Sequence, residues 1–408
     1  MNHASVKGRT FFPHVVIMHL NKTPSFIRTP HHLLCCLSAV FLLTACPQKI
    51  PDLPVAVPRT VAPETVFVKY IQQSERSVND PAAWVKGIFS AIDELKLPRS
   101  NENVCAVMAV IEQESGFKED PVVPGLAALL NKKINKMEEN LVMFAALEVR
   151  LNQPMTTGSP MTFREGIKQI KTERDLAQWY EAFTEAKFTG IILDRFGKGV
   201  DELISTVGSM QVSINYSRKL AQAIGKSTSD MRDTLYTRDG GVFYGTAHLL
   251  YYPARYDNII YRFADYNAGH YASRNAGFQL MLNQLTGGKI TPDGDLLSHG
   301  SNDSEGIAKP SQTQLAITKL FAKSAKNIKS QTIVDDLSRE KSIEFEQSTT
   351  YATVLQLMDD KGLKPIPASI PKITLTSEKI TRKLTTEWYS NGVNGRYQKC
   401  LTFVSPLL

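Results

Sequence analysis

Cysteine is scarce, with five in 408 residues, and no His, Cys, Asp or Glu grouping has metal-ligand spacing. That pattern argues against a metal site or a dense disulfide framework, and no metal or organic cofactor is expected. No internal repeat is visible. The apolar run Leu33 to Ala45 holds 13 residues, too few to cross a bilayer as a helix. Acidic residues are missing from positions 1–45, which carry four Lys or Arg. Those four supply much of the formal charge of +7. Without them the chain has 43 basic against 40 acidic residues, about +3. Bulk charge therefore gives no support to a nucleic-acid partner. The 42% apolar and 21% charged content is that of a globular body.

Residues 1–45 read as an export signal rather than as fold. Arg28, His31 and His32 precede the apolar run, which ends in Leu43-Thr44-Ala45-Cys46. That ending looks like a lipobox, with cleavage before Cys46 and acylation of its thiol and amine. Several acyl chains anchor a protein stably where one does not. A plain secretory signal or a buried apolar strand is the alternative. The stretch before Met18 fits a leader poorly, so Met18 is a second candidate start. Residues 46–63 carry Pro47, Pro51, Pro54, Pro58 and Pro63, a semi-rigid tether. Pro47 follows the lipidated position where Asp would signal retention at an inner membrane. The anchor is therefore expected at the outer membrane, facing the periplasm. In an oxidising compartment Cys105 and Cys400 could pair. The favoured reading is that Cys105 is an apolar core residue of its helix.

The body reads as mainly α. Asp80-Pro81 opens a helix whose face is Trp84, Ile88, Phe89, Ile92 and Leu95. Residues 118–207 show mostly helical patterns: one long helix, straight or kinked, over Leu126 to Leu151, one or two over Phe163 to Lys187, and one over Asp194 to Thr206. Further helices are expected over Tyr216 to Ile224, Val242 to Tyr252 and 271–286, with Asp239-Gly240-Gly241 as a turn. Thr291 to Lys309 reads as a polar linker. Residues 311–360 return to helix. The end of the chain, with Trp388, Tyr389, Arg396 and Tyr397 among glycines, reads as aromatic and turn-rich. It suits a carbohydrate subsite or a packing patch. His248 and His270 read as surface or packing residues.

One stretch organises the rest: Ile111-Glu112-Gln113-Glu114-Ser115-Gly116-Phe117. Val104, Val107, Met108 and Ile111 recur at helical spacing, with Ser100 as N-cap and Gly116 as stop. Glu114 therefore falls in the last turn of a core helix. The negative end of the helix dipole and an apolar neighbour such as Phe117 both disfavour a second negative charge. A general acid working near neutrality needs such a raised pKa. Taken alone, the stretch also suits a solvated helix end. Glu112 is the weaker choice of acid, because two residues along it faces another side of the helix.

Three segments in order, Glu114-Ser115-Gly116-Phe117, Gly208-Ser209-Met210-Gln211 and Tyr266-Asn267-Ala268-Gly269, resemble the motifs of the soluble lytic transglycosylases, which cleave peptidoglycan. Most of the chain also resembles an uncharacterised family of bacterial lipoproteins. The first resemblance implies a lysozyme-like helical domain over 64–290 with a large helical insertion at about 118–207. A linker over 291–310 and a helical, turn-rich C-terminal extension over 311–408 would follow. It implies that Glu114 is the single acid and base, that Ser115, Met210, Gln211 and Asn267 contact the glycan, and that Tyr266 lies over the Glu114 carboxyl and can hydrogen-bond it. The reaction implied is cleavage of the β-1,4 bond after N-acetylmuramic acid, leaving a 1,6-anhydro end. The chain departs from the family at Ser209, where Leu is usual, at Asp265, where Ala is usual, and in the 94 positions between Glu114 and Gly208. Asp265 is expected to face solvent or to cap a helix; aimed at Glu114, it would raise that pKa further. These departures keep open a non-catalytic envelope lipoprotein that binds glycan or a partner. A hydrolytic muramidase is a third option and needs a second carboxylate to position water.

Overall fold

The computed structural model describes residues 61–73, 78–139, 141–184, 203–298, 309–375 and 383–405, with Gly197 and Val200 between them. The leader, Cys46 and most of the tether lie outside the described residues, as does most of the helix expected over Asp194 to Thr206. The described body is mainly helical. No described helix is long and apolar enough to cross a membrane.

The expected start and stop signals act as read. In α1 (Glu64–Gln72), Phe67 and Ile71 are buried. In α2 (Pro81–Glu94), the Asp80 side chain accepts from the Ala83 N–H, and the expected apolar face is buried. In α3 (Asn101–Glu114), Ser100 accepts from the Asn103 N–H. Val104 through Ile111 are all buried, so α3 is enclosed on every side. The helix ends where Gly116 and Phe117 both take left-handed backbone.

The block after α3 breaks more often than its periodicity suggests. The long, straight or kinked helix expected over Leu126 to Leu151 is α4 (Leu126–Asn135), a 3-10 turn and α5 (Leu141–Leu151). Then come α6 (Phe163–Ile167), closed by a Thr162–Glu165 capping box, and α7 (Glu173–Thr184). The block does not sit on the surface. Leu130, Ile134, Leu151, Phe163, Trp179 and Phe183 join the same core as α2 and α3. Arg150 lies over the Phe163 ring and donates to the Phe183 and Ala182 carbonyls, which satisfies its buried guanidinium.

Two short strands, β1 (Thr206–Val207) and β2 (Val212–Ser213), pair antiparallel around the turn Gly208–Gln211. Helix α8 (Ile214–Ala223) follows, then α9 (Met231–Leu235) and α10 (Arg238–Leu250). Asp239, Gly240 and Gly241 form the first turn of α10 rather than a loop. A Cβ at Gly240 would stand 2.0 Å from the Thr234 carbonyl, so close packing explains the glycine that the sequence offers as a turn signal. Helix α11 (Ile260–Ala268) leads to α12 (Ala272–Thr286), which is buried around nearly its whole circumference.

Asp265 is buried rather than solvent-facing. It accepts from the Tyr252 and Tyr256 hydroxyls and from the Tyr271 and Ser273 N–H groups. Its carboxylate thus serves the open N-terminus of α12.

Residues 291–298 pack into the fold more closely than a linker would, with Leu296 fully buried and its N–H on Glu340. Helices α13 (Gln312–Lys323), α14 (Ser330–Leu337) and α15 (Thr349–Asp360) build a second apolar cluster against Phe278, Leu282 and Leu285 of α12. A short pair, β3 (Thr374–Leu375) with β4 (Leu384–Thr385), precedes the last element.

The end of the chain corrects the turn-rich expectation. It is α16 (Thr386–Val404), a 19-residue helix packed along α3 and α11. Tyr389, Val393, Tyr397, Cys400 and Val404 are its buried stripe and join the first core. Cys105 and Cys400, both fully buried, form a disulfide across 295 positions. The favoured expectation, that Cys105 is an unpaired core residue, is therefore wrong. The two helices it joins meet along their lengths, which brings the Cα atoms to 5.5 Å, within the range a disulfide needs.

Candidate active site

Glu114 closes α3 between three elements from distant parts of the chain. From α16, the Tyr389 hydroxyl donates to Glu114 Oε1 at 2.5 Å. From α11, Tyr266 lies near enough for the Glu114 charge to act on its hydroxyl. From α7, the Glu173 carboxyl acts on Glu114 itself. Glu114 keeps some exposure. Burial pushes its pKa up to about 7; the Tyr389 hydrogen bond opposes this and the Glu173 charge adds to it. A carboxyl poised there can give a proton at neutral pH and take one back.

The segment Gly208–Gln211 is a hairpin turn whose backbone explains its glycine. Gly208 has φ +82°, and a Cβ there would stand 2.1 Å from the Leu235 carbonyl oxygen. Gln211 also has positive φ, +50°, and its N–H donates to the Gly208 carbonyl. Its side chain amide donates to Glu173 Oε2 at 3.0 Å. Met210, expected to line a sugar cleft, is fully buried against α10 instead; only its backbone takes part, accepting from the Tyr266 hydroxyl at 2.7 Å. The tyrosine that bonds Glu114 is therefore Tyr389, not the expected Tyr266.

The other expected contacts have internal partners. Ser115 is nearly buried; its hydroxyl donates to the Ile111 carbonyl and accepts from the Lys118 N–H, so it caps the helix end. Asn267 Oδ1 accepts from the Thr386 hydroxyl at 2.9 Å. Glu112, the rival acid, pairs with Arg396 of α16 at 3.6 Å. His248 and His270 stack with ring centroids 4.6 Å apart beside Tyr216, Tyr252 and Tyr266. Burial lowers both, His248 to about 3, so neither carries charge at neutral pH. Cavities of about 320, 440 and 580 Å³ on the described surface are lined by other residues, and Glu114 lines none of them.

Sequence reasoning missed Tyr389 and Glu173. Tyr389 stood only among the aromatics of a stretch suited to a carbohydrate subsite or a packing patch, with nothing to tie it to Glu114. Glu173 had no local signal, because nothing in its neighbourhood marks it as other than a first-turn helix acid.

Comparison with known proteins adds a family. Residues 77–402 match the family described as protein of unknown function DUF1615. The chain is 34% identical over 369 residues to the Escherichia coli (strain K12) protein described as uncharacterized protein YaiW, across 90% of this chain and 96% of that one. No solved structure matches the chain. The match spans α2 through most of α16, the elements that carry Glu114, Glu173, Gln211, Tyr266 and Tyr389, and the chain belongs to the DUF1615 family.

Proposed function

We propose that this protein cleaves the glycan strands of peptidoglycan as a lytic transglycosylase with a lysozyme-like fold, tethered by lipid at Cys46 to the outer membrane on its periplasmic side. One observation carries the reading: a carboxyl at a core helix end, held by a tyrosine and pushed up to about 7 by burial. The buried Cys105–Cys400 disulfide suits an oxidising envelope compartment.

In the proposed reaction Glu114, protonated, gives its proton to the oxygen that links N-acetylmuramic acid to N-acetylglucosamine. The C1–O bond breaks, and the cationic sugar is stabilised by its own N-acetyl oxygen. Glu114, now a carboxylate, takes the proton of the C6 hydroxyl while that oxygen bonds C1. The anhydro ring closes, and Glu114 ends protonated as it began. One carboxyl serves both steps, so no second group need touch the sugar.

The test is release of anhydromuramyl fragments from purified murein sacculi, with Glu114→Gln beside the wild type. A proton-transfer residue is worth about 10²- to 10⁴-fold in rate, so the variant should fall by that much. Folded wild type that releases nothing ends the enzymatic reading. A second reading has its own support: the first turn of α16 occupies both Glu114 and Asn267, as suits a non-catalytic glycan or partner binder. Cosedimentation with sacculi without release would favour it. Reducing ends rather than anhydro ends would mark a hydrolase.

A further inference from the structure

Glu173 is a buried carboxyl with 2% of its surface exposed, and the proposed reaction leaves it without a role. A charge at that depth is costly unless hydrogen-bonded. Two described features favour a negative charge there. Glu173 is the first residue of α7, where the helix dipole is positive. Gln211 donates to its Oε2. The Gln211 amide cannot turn over without loss: its oxygen accepts from the Thr206 hydroxyl at 3.3 Å, and its nitrogen also lies 3.3 Å from the Gly208 carbonyl. Glu114 has the opposite setting, at the negative end of α3. Glu173 lies close enough for its charge to act on Glu114, and two such carboxyls, one at a helix start with an amide donor and one at a helix end, have environments that separate acid from anion.

Glu114 is faced by Tyr389 from α16, Tyr266 from α11 and Glu173 from α7; Arg396, which acts on Tyr389, pairs with Glu112. Glu173 is faced by Gln211 and by Tyr236 at the end of α9, whose ring carries Arg174 and whose buried hydroxyl has no hydrogen-bond partner. Asp120 and Arg232 also act on Tyr236, and Arg174 pairs with Asp120 at 3.8 Å.

We propose that Glu173 is the positioning carboxylate of this site: a buried anion held by Gln211 that acts on Glu114 through its charge, keeps the proton there and so decides which of the two carboxyls is the acid. This rests on the reading of Glu114 as the acid and base of a glycan-cleaving site. Glu173 acts through Glu114 and is too deeply buried to touch a sugar. The block between Glu114 and Gly208 thereby gains a purpose, since it delivers that anion.

The test is a titration of the Glu114 side-chain carboxyl by ¹³C NMR in the full-length protein labelled at glutamate, with Glu114→Gln and Glu173→Asp to assign the two signals. In the wild type Glu173 should ionise first and Glu114 near 7. Glu173→Gln keeps the volume and an acceptor for Gln211 but removes the charge. Its Glu114 midpoint should move down by about one unit, a tenfold loss of proton affinity. Glu173→Asp, which keeps the charge, should restore the midpoint; a packing role would instead make Asp the worse replacement. The alkaline limb of anhydromuramyl release should move with the midpoint. If the midpoint moves but the wild type cleaves nothing, the carboxyl pair stands and the glycan reading fails. An unmoved Glu114 midpoint in folded Glu173→Gln, or a wild type in which Glu173 keeps its proton after Glu114 has lost one, overturns the proposal. The wild-type order of ionisation decides the matter even if Glu173→Gln does not fold.

Discussion

The Tyr389 hydroxyl donates to Glu114 across 275 positions of sequence, so this carboxyl and its hydrogen-bond donor come from segments near the two ends of the described sequence. A donor of this kind stabilises the ionised carboxylate against the push of burial.

Tyr389→Phe removes that donor and leaves the ring. The Glu114 pKa should then rise above its present value of about 7, because the interaction lost favoured the charged form. The alkaline limb of any Glu114-dependent activity should move to higher pH, by up to about one unit. A limb that stays in place or moves down would contradict this geometry.

Glu114 also sets a pH dependence of stability. Its folded pKa lies above its unfolded value, so its favourable contribution is complete below about 4.5 and is lost as pH rises through about 7. Glu114→Gln should therefore look better against the wild type at pH 8.5 than at pH 5. The gap should grow by roughly 2–3 kcal/mol at most. Urea unfolding at the two pH values measures it, and a gap that shrinks toward high pH would refute the assignment.

The Cys105–Cys400 bond closes a loop of 295 positions, for which the chain-entropy account gives about 6 kcal/mol, a figure that depends on that model. The double variant Cys105→Ala, Cys400→Ala should unfold several degrees lower. Both sulfurs are fully buried, so a thiol reductant should leave the folded wild type oxidised and reduce it only under unfolding conditions. Mass spectrometry after thiol labelling follows this directly.

Gly208→Ala should destabilise the protein by at least roughly 1–3 kcal/mol. Positive φ and the Leu235 carbonyl oxygen both act against a side chain there. The loss should appear in thermal unfolding. Because the turn also fixes Gln211, the Glu114 titration should shift as well.

Much of the fold could be read from spacing and caps. Asp80, Ser100 and Gly116 start and stop helices where the sequence marks them, and the apolar faces of α2 and α3 are buried as expected. The last helix was missed because Gly392 and Gly395 read as breakers. Its buried positions 389, 393, 397, 400 and 404 nevertheless step by four, four, three and four, a helical stripe that tertiary packing exploits despite weak propensity. Glu114 was legible because its own helix announces it. Glu173 and Tyr389 were not, since their roles arise from contacts across the chain and no local pattern encodes such contacts. Met210 and Asn267 were placed by resemblance, and that could not reveal which internal groups would claim them.

The far end of the chain arrives last during synthesis, yet α16 supplies Tyr389 and Cys400. A polypeptide still emerging has Glu114 with no Tyr389 beside it and Cys105 with nothing to bond. Both the Tyr389–Glu114 hydrogen bond and the Cys105–Cys400 bond can therefore form only once α16 has docked on α3, so each reports the same tertiary step.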